Sequence, residues 1–303
     1  MEKILLSKYA RRTFFFISLI LFIILLLIRL LLMPALSNLL DENIFNIINT
    51  MIDALFSTGV STVVIASLAF WLTPRVVKKS QMEIVEPKQV KDYLERARET
   101  DEYWFMGGTG RFTRSKTIPK LAIDARHSNF SKKIHIIMIN PENRRVCEKY
   151  VDYRNKVKSG LNQRWNYKKL KKEILSTIVA AYTWRKEQPL LEVEVGLIEH
   201  YSLFRIDLST ELAVITKEDP SEPALMCEKG TFFFKSYLED LRLSLSQSRI
   251  LTPKIDGIPF SKVNGEEVQK FVESLGIETD PFDIDDFEEM AKIVIKGENP
   301  YGY

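Results

Sequence analysis

Three glycines in four positions, Gly107, Gly108 and Gly110 around Thr109, run directly into Arg111, Arg114 and Lys116, the spacing in this chain best suited to chemistry. Backbone N–H groups of a tight turn at a helix start point at an anion, and nearby guanidinium groups clamp it. The run fits neither the phosphate-loop spacing nor the dinucleotide fingerprint, so an ordinary strand-to-helix turn is the competing reading. A second group is cationic and aromatic. Between Ser131 and Lys172 thirteen Lys or Arg face three acids, Glu142, Glu148 and Asp152, with Tyr153, Trp165 and Tyr167 interleaved. Arg154, Lys156, Arg164, Lys168, Lys169 and Lys172, with Trp165, form a strip that can neutralise phosphates and stack bases. Anionic headgroups, an acidic segment of a neighbouring subunit and a plain solvated face stay open as alternatives.

Other chemistry has less to work with. Two cysteines and three histidines are too few for a disulfide framework or a structural zinc site, so no metal and no cofactor are expected. From Glu278 to Met290 there are seven acids and no base. That stretch lacks the glycine and ligand spacing of a calcium loop. Its interleaved Phe282, Ile284, Phe287 and Met290 suit a docking segment instead. A hydrolase acting on phosphodiesters or lipid headgroups would have Asp207, or Glu199 with His200, for acid–base work, but no recognisable nucleophile accompanies them.

The elements that must hold these residues alternate. Tyr103–Met106 reads as a short strand before the glycine turn, with a helix from about Lys116 to Ser128 after it. A strand over Lys133–Asn140, helices over Glu142–Lys156 and Tyr167–Lys186, and a strand over Leu190–Glu199 follow. Strands at Phe204–Ile206 and Leu212–Thr216 and a helix through Phe234–Leu245 complete the pattern. Strands alternating with helices predict a mixed α/β domain. We place it at 102–251, after a linker helix in 80–101 and before an acidic segment at 252–303.

The first 79 residues have another character. Mean hydropathy of the whole chain is only −0.09 although its start is strongly apolar, so the remainder is correspondingly polar. Uncharged runs at 13–28, resuming after Arg29 to about 36, and at 54–72 within a stretch of about 52–73, each approach the roughly 20 residues that cross a bilayer. Two crossings make a hairpin. Lys3, Lys8, Arg11 and Arg12 before it and Arg75, Lys78 and Lys79 after it place both ends inside by the positive-inside rule. A cleaved signal peptide is the competing reading of the first run. Thr58, Thr62 and Ala66 follow helical steps and suit close packing, within the hairpin or between copies. Arg29 is expensive in hydrocarbon unless it snorkels or pairs with Asp53, and Trp71 suits the inner interface.

The helix ending in ARHSN, the strand KIHIIMINP and the later SLFRIDLSTELAVITKEDP together resemble half of a phospholipase D-like domain. Leu203, Arg205 and Thr210 would occupy the His, Lys and Asp positions of its His-x-Lys-x4-Asp motif. The nucleophilic His and the acid are then missing, which implies a binding relic, with Arg205 as a ligand residue, rather than a working phosphodiesterase. The layout as a whole resembles the two-transmembrane effectors of bacterial antiphage systems, of the retron-associated type. That resemblance implies a non-enzymatic, multi-pass inner-membrane protein, homo-oligomeric when active, that disrupts the membrane when its cytoplasmic domain is triggered. The implied trigger is a reverse transcriptase–nucleic acid complex or a nucleotide signal.

Overall fold

The computed structural model describes residues 8–32, 42–72, 82–157 and 164–297. The chain divides into two compact units, Met1–Glu83 and Ile84–Tyr303.

In the first unit, helix α1 (Lys8–Leu27) runs into a wide π turn (Ile28–Leu32), and helix α2 spans Glu42–Leu72. Phe14, Ser18, Phe22 and Leu25 of α1 are half-buried at helical spacing, as are Ile52, Phe56, Gly59, Val63 and Ala66 of α2. The two helices meet on these stripes, with the Phe22 and Phe56 rings 4.5 Å apart. Outside the stripes large apolar side chains stand exposed all round, among them Phe16, Leu19, Leu55, Ile65 and Trp71. A helix apolar on every side requires an apolar surrounding. Ile44–Leu68 is long and apolar enough to cross a membrane, about 37 Å at 1.5 Å per residue. The apolar part of α1, Arg12–Leu27, is shorter.

Two expectations change here. The apolar stretch of α2 begins at Ile44 rather than 52, because Asn46, Asn49 and Asp53 interrupt it too sparsely to end a helix. Thr58 and Thr62 are exposed, their hydroxyls donating to the carbonyls of Ala54 and Thr58, so of the small-residue series only Ala66 joins the α1 contact. Residues 33–36 and Thr73, and the side chain of Arg29, lie outside the described residues; Asp53 is half-buried.

The second unit is mixed α/β around one sheet. Its elements are β1 (Glu83–Val85), α3 (Pro87–Ala97), β2 (Glu102–Gly107), a π turn (Thr113–Thr117), α4 (Ile118–Ser128), β3 (Lys132–Ile139) and α5 (Arg144–Lys156). Then follow α6 (Tyr167–Glu187), β4 (Leu191–Ile198), β5 (Arg205–Ser209), β6 (Leu212–Thr216), β7 (Ala224–Glu228), α7 (Phe232–Ser246) and β8 (Arg249–Ile250). A short 3-10 turn (Phe260–Lys262), α8 (Gly265–Ser274) and α9 (Ile284–Lys296) close the chain. The strand order is β1-β7-β6-β5-β2-β3-β4-β8. β2, β3 and β4 are parallel at the centre, and β5, β6, β7 and β8 attach antiparallel.

Alternation along the strands makes two cores, because successive side chains point to opposite faces. Tyr103, Phe105, Ile134, Ile136 and Met138 face α4, α6, α8 and α9, whereas Trp104, Met106, Ile137, Ile206 and Leu208 face Phe234, Leu241 and Leu245 of α7. The segments 80–101 and 252–303, expected outside the domain, belong to it from Ile84 on. β1 takes an edge of the sheet, while Phe271, Phe287 and Met290 of α8 and α9 are part of the larger core.

Candidate anion-binding site

The glycine turn leaves the C-terminal end of β2, where the parallel strands stop. Each glycine is required by a neighbour. A Cβ on Gly108 would collide with the Tyr150 hydroxyl, and one on Gly107 would stand 2.7 Å from the Phe105 ring and 3.1 Å from Arg205 Cγ. Gly110 has φ +64°, in the left-handed region, which sends the chain into the wide turn and lets its carbonyl accept from the Arg114 N–H at 2.7 Å. The turn is therefore covered by side chains, Tyr150 above all, rather than lying open as a bare backbone cradle.

Around it the structure brings together two groups that lie far apart in sequence. Arg114 donates to Glu173 Oε2 at 2.9 Å and to Thr177 Oγ1 at 3.2 Å, and Arg111 Nε lies 3.5 Å from Glu173 Oε1. Arg154, buried on α5, donates to Glu218 Oε2 at 3.0 Å and to the Glu218 carbonyl at 3.1 Å. The Tyr150 hydroxyl donates to the other Glu218 oxygen. Trp165 joins the halves: Arg111 Cζ, Arg154 Cζ and Lys169 Nζ lie 5.5, 5.0 and 5.1 Å from its ring centre. Three cations on one indole gain from its quadrupole and repel one another. Burial, with Arg111 and Arg154 beside it, accordingly lowers the pKa of Lys169.

Beside this cluster opens a cleft of about 520 Å³, within the size range of small-molecule sites. One wall is α3, with Lys88, Val90, Lys91 and Leu94; the other is Thr216 at the end of β6 and Lys217–Glu222 of the loop between β6 and β7. Phe112 and Arg205 form part of its lining. Phe112 lies between two guanidinium groups, Arg98 Cζ at 5.5 Å and Arg205 Cζ at 6.0 Å.

Under Arg205 lies a buried polar relay. Asp207 is 1% exposed and accepts from the Tyr103 hydroxyl at 2.8 Å, with Arg205 Nε 3.1 Å from its other oxygen. Burial raises the Asp207 pKa against the pull of Arg205, and burial together with the Asp207 charge raises that of Tyr103. The relay fixes where Arg205 stands; enclosed as it is, it has no face toward the cleft for acid–base work.

The remaining expected site residues fall elsewhere. Lys168 and Lys172 are turned to α9 and pair with Asp286, and Lys172 also with Glu289. The basic strip is thus divided: Arg154, Trp165 and Lys169 face inward to the glycine turn, while Lys168 and Lys172 hold the chain's own acidic helix. Lys156 and Arg164 are exposed, and Lys116 is half-buried in the wide turn. Leu203 and Arg205 lie at the β2 C-terminal end, whereas Thr210 bonds Thr100 at the opposite end, so the three motif positions do not converge. Glu199 is bound by Asn140 and Asn143. Cys147 is buried, its thiol pushed up to about 12 by burial, which removes the thiolate a nucleophile needs.

Sequence reasoning missed Tyr150, Glu173, Glu218, Phe112 and Arg98. For Glu218, one acid in a loop of three, no sequence signal existed. Tyr150 was findable in principle, since a glycine pair that nothing else explains implies a bulky neighbour.

No family model matches the chain and no curated protein matches its sequence, so the functional reading comes from the geometry of this site.

Proposed function

We propose that this protein is a membrane-anchored effector whose α/β unit senses an anionic ligand and thereby controls the apolar helices. The single observation that carries it is the placement of the cleft. One wall of the cleft, with Lys88 and Lys91, is α3, the first helix of the α/β unit after the apolar α2. A ligand that bridges those lysines to Arg205 and Lys217 across the cleft binds tightly only with α3 in place. Its arrival or loss therefore reaches the segment leading to the membrane.

In this reading α1 and α2 form a transmembrane hairpin with both ends inside. Triggering lets hairpins from several copies assemble and permeabilise the bacterial inner membrane, as in retron-type antiphage effectors. The α/β unit, with Arg205 at the motif's lysine position, is read as a phospholipase D-like half kept for binding. The alternative, a membrane-tethered phosphodiesterase or lipid-headgroup hydrolase, has Asp207 as its acid, and the enclosure of that carboxyl by Tyr103 and Arg205 favours the binding role.

The test is controlled expression with a membrane-potential dye, comparing the full chain with one beginning at Ser80, each with and without phage infection. Depolarisation by the full chain alone, spontaneous or on infection, is expected. An unchanged potential in every condition overturns the effector reading and directs attention to phosphodiester turnover.

A further inference from the structure

Glu218 is an unusual partner for the cationic cluster. It belongs to the β6–β7 loop, Lys-Glu-Asp-Pro-Ser-Glu-Pro, which forms one wall of the cleft, and its carboxylate reaches out of that wall to Arg154 and Tyr150. It is the only loop-borne acid among the described contacts of that group; Glu173 is fixed on α6 between Arg111 and Arg114. Among the described residues, four cationic side chains, Arg111, Arg114, Arg154 and Lys169, gather around two carboxylates, Glu173 and Glu218. The group is largely removed from water: Arg114 and Arg154 are buried, and burial with Arg111 and Arg154 nearby lowers the Lys169 pKa.

A second, independent feature marks the same place. Trp165 is 4% exposed, and its indole N–H is a buried donor with no acceptor among the described residues. A buried donor left without a partner is costly and uncommon in a finished interior. Arginine, lysine, tyrosine hydroxyl and indole N–H are all donors. Their common complement is a group rich in acceptor oxygens and carrying more than one negative charge, which a carboxylate on a loop only half supplies.

We infer that Glu218 holds the place of a phosphoryl group, and that a nucleotide entering the cleft displaces the β6–β7 loop and sets its phosphate on Arg154, Tyr150, Lys169 and the Trp165 N–H. The inference presupposes the sensor reading above and deepens it. The size of the cleft suits one nucleotide, and aromatic surface for a base lies at hand. Phe112 lines the cleft between two guanidinium groups, and Tyr153 and Tyr201 pack around Tyr150 with ring centres 6.4 and 5.6 Å from it. Binding is an exchange of one anion for another, and no covalent step is involved. The loop that Glu218 leaves also carries Lys217 and Asp219 in the cleft wall facing α3, so displacement of the carboxylate and rearrangement of that wall are one event.

Competition between an internal and an external anion makes a sharp experiment. Full-length protein in detergent is titrated with ATP and, separately, with inorganic pyrophosphate by calorimetry. The variants Glu218→Gln, Lys169→Gln and Glu218→Gln/Arg154→Gln are measured alongside. Removing the internal anion should tighten ATP binding about tenfold or more, removing the Lys169 cation should weaken it by a similar factor, and the double variant should lose the gain. A purely structural ion pair predicts the reverse, since Glu218→Gln would then lower the melting temperature and leave affinity unchanged or weaker; that outcome overturns the assignment. Should Glu218→Gln not fold, Lys169→Gln decides, since an unchanged ATP affinity in that variant overturns the assignment. Pyrophosphate bound as tightly as ATP identifies free polyphosphate as the source of the phosphoryl group, and tighter ATP identifies a nucleotide. A tenfold gain for Glu218→Gln in a protein that never depolarises cells leaves the site standing while the effector reading fails, so the two are separable.

Discussion

At the scale of single residues, the glycine turn shows how a motif is read correctly for position and differently for mechanism. Gly107, Gly108 and Gly110 do sit where anion-binding chemistry collects, yet Gly108 is glycine because the Tyr150 side chain passes over it. Substituting Gly108→Ala should therefore push Tyr150 aside and break its bond to Glu218. We expect a loss of about 1–3 kcal/mol in a denaturant melt, the range for overpacking a filled site. Gly230→Ala is the contrast. Nothing stands near its Cβ, and only its φ of +86° opposes the change, so the loss should be about 1 kcal/mol. Arg111, Arg114, Arg154, Trp165 and Arg205 were visible as residue types. Their acidic partners were not, because Glu173 and Glu218 are 45 residues apart in sequence and neither lies in a biased tract.

At the scale of elements, local patterning was legible where helices and strands are long. α6 was read over Tyr167–Lys186, and its helically spaced Leu170, Ile174, Ile178 and Ala181 are all buried; β3 was read over Lys133–Asn140 and β4 from the alternation of Leu190–Glu199. What escaped were β1 with three residues, β7 with five, β8 with two, α8, and the helical form of the acidic segment, α9. The acidic segment was read as a docking piece and docks within its own chain. α9 begins with a capping box, the Asp283 carboxylate accepting from the Asp286 N–H while the Asp286 carboxylate accepts from the Asp283 N–H. Although burial pushes Asp286 up, hydrogen bonds from Lys168 and Lys172 hold its carboxyl well below the usual range. A carboxyl with a lowered folded-state pKa stabilises the protein above its unfolded value near 3.8, and that contribution is lost as pH falls further. Asp286→Asn should remove about 1–3 kcal/mol at pH 7 and flatten the stability profile below pH 4; the check is urea unfolding followed across pH 2.5–7. Asp283→Ala, which removes the cap and an exposed 3.9 Å contact with Lys168, should lose about 1 kcal/mol with less change in acid sensitivity.

At the scale of the whole molecule, the division between an apolar pair of helices and a polar α/β unit was legible from composition alone, because a long uncharged run and a run of alternating elements are the strongest patterns a chain carries. The packed face of α2 was less legible. Thr58 and Thr62 suggested the contact, but threonine hydroxyls satisfied by their own helix leave no need for a neighbour, and Ile52, Phe56, Gly59 and Val63 make the contact instead. On fractionation, the full chain should pellet with membranes and resist alkaline carbonate, whereas the chain from Ser80 should stay in the supernatant. Recovery of the full chain in the soluble fraction without detergent would contradict the exposed apolar surface of α1 and α2.

The sheet has one more consequence. It is eight strands wide, but its edges are β1 with three residues and β8 with two. Long open edges recruit strands from other copies and lead to ribbons and aggregates, and very short ones give such recruitment little to grip. The α/β unit is thereby kept from polymerising through its backbone. Any assembly of copies must then be made by helix faces or by the apolar helices, contacts that side chains can tune and that can be withheld until they are needed.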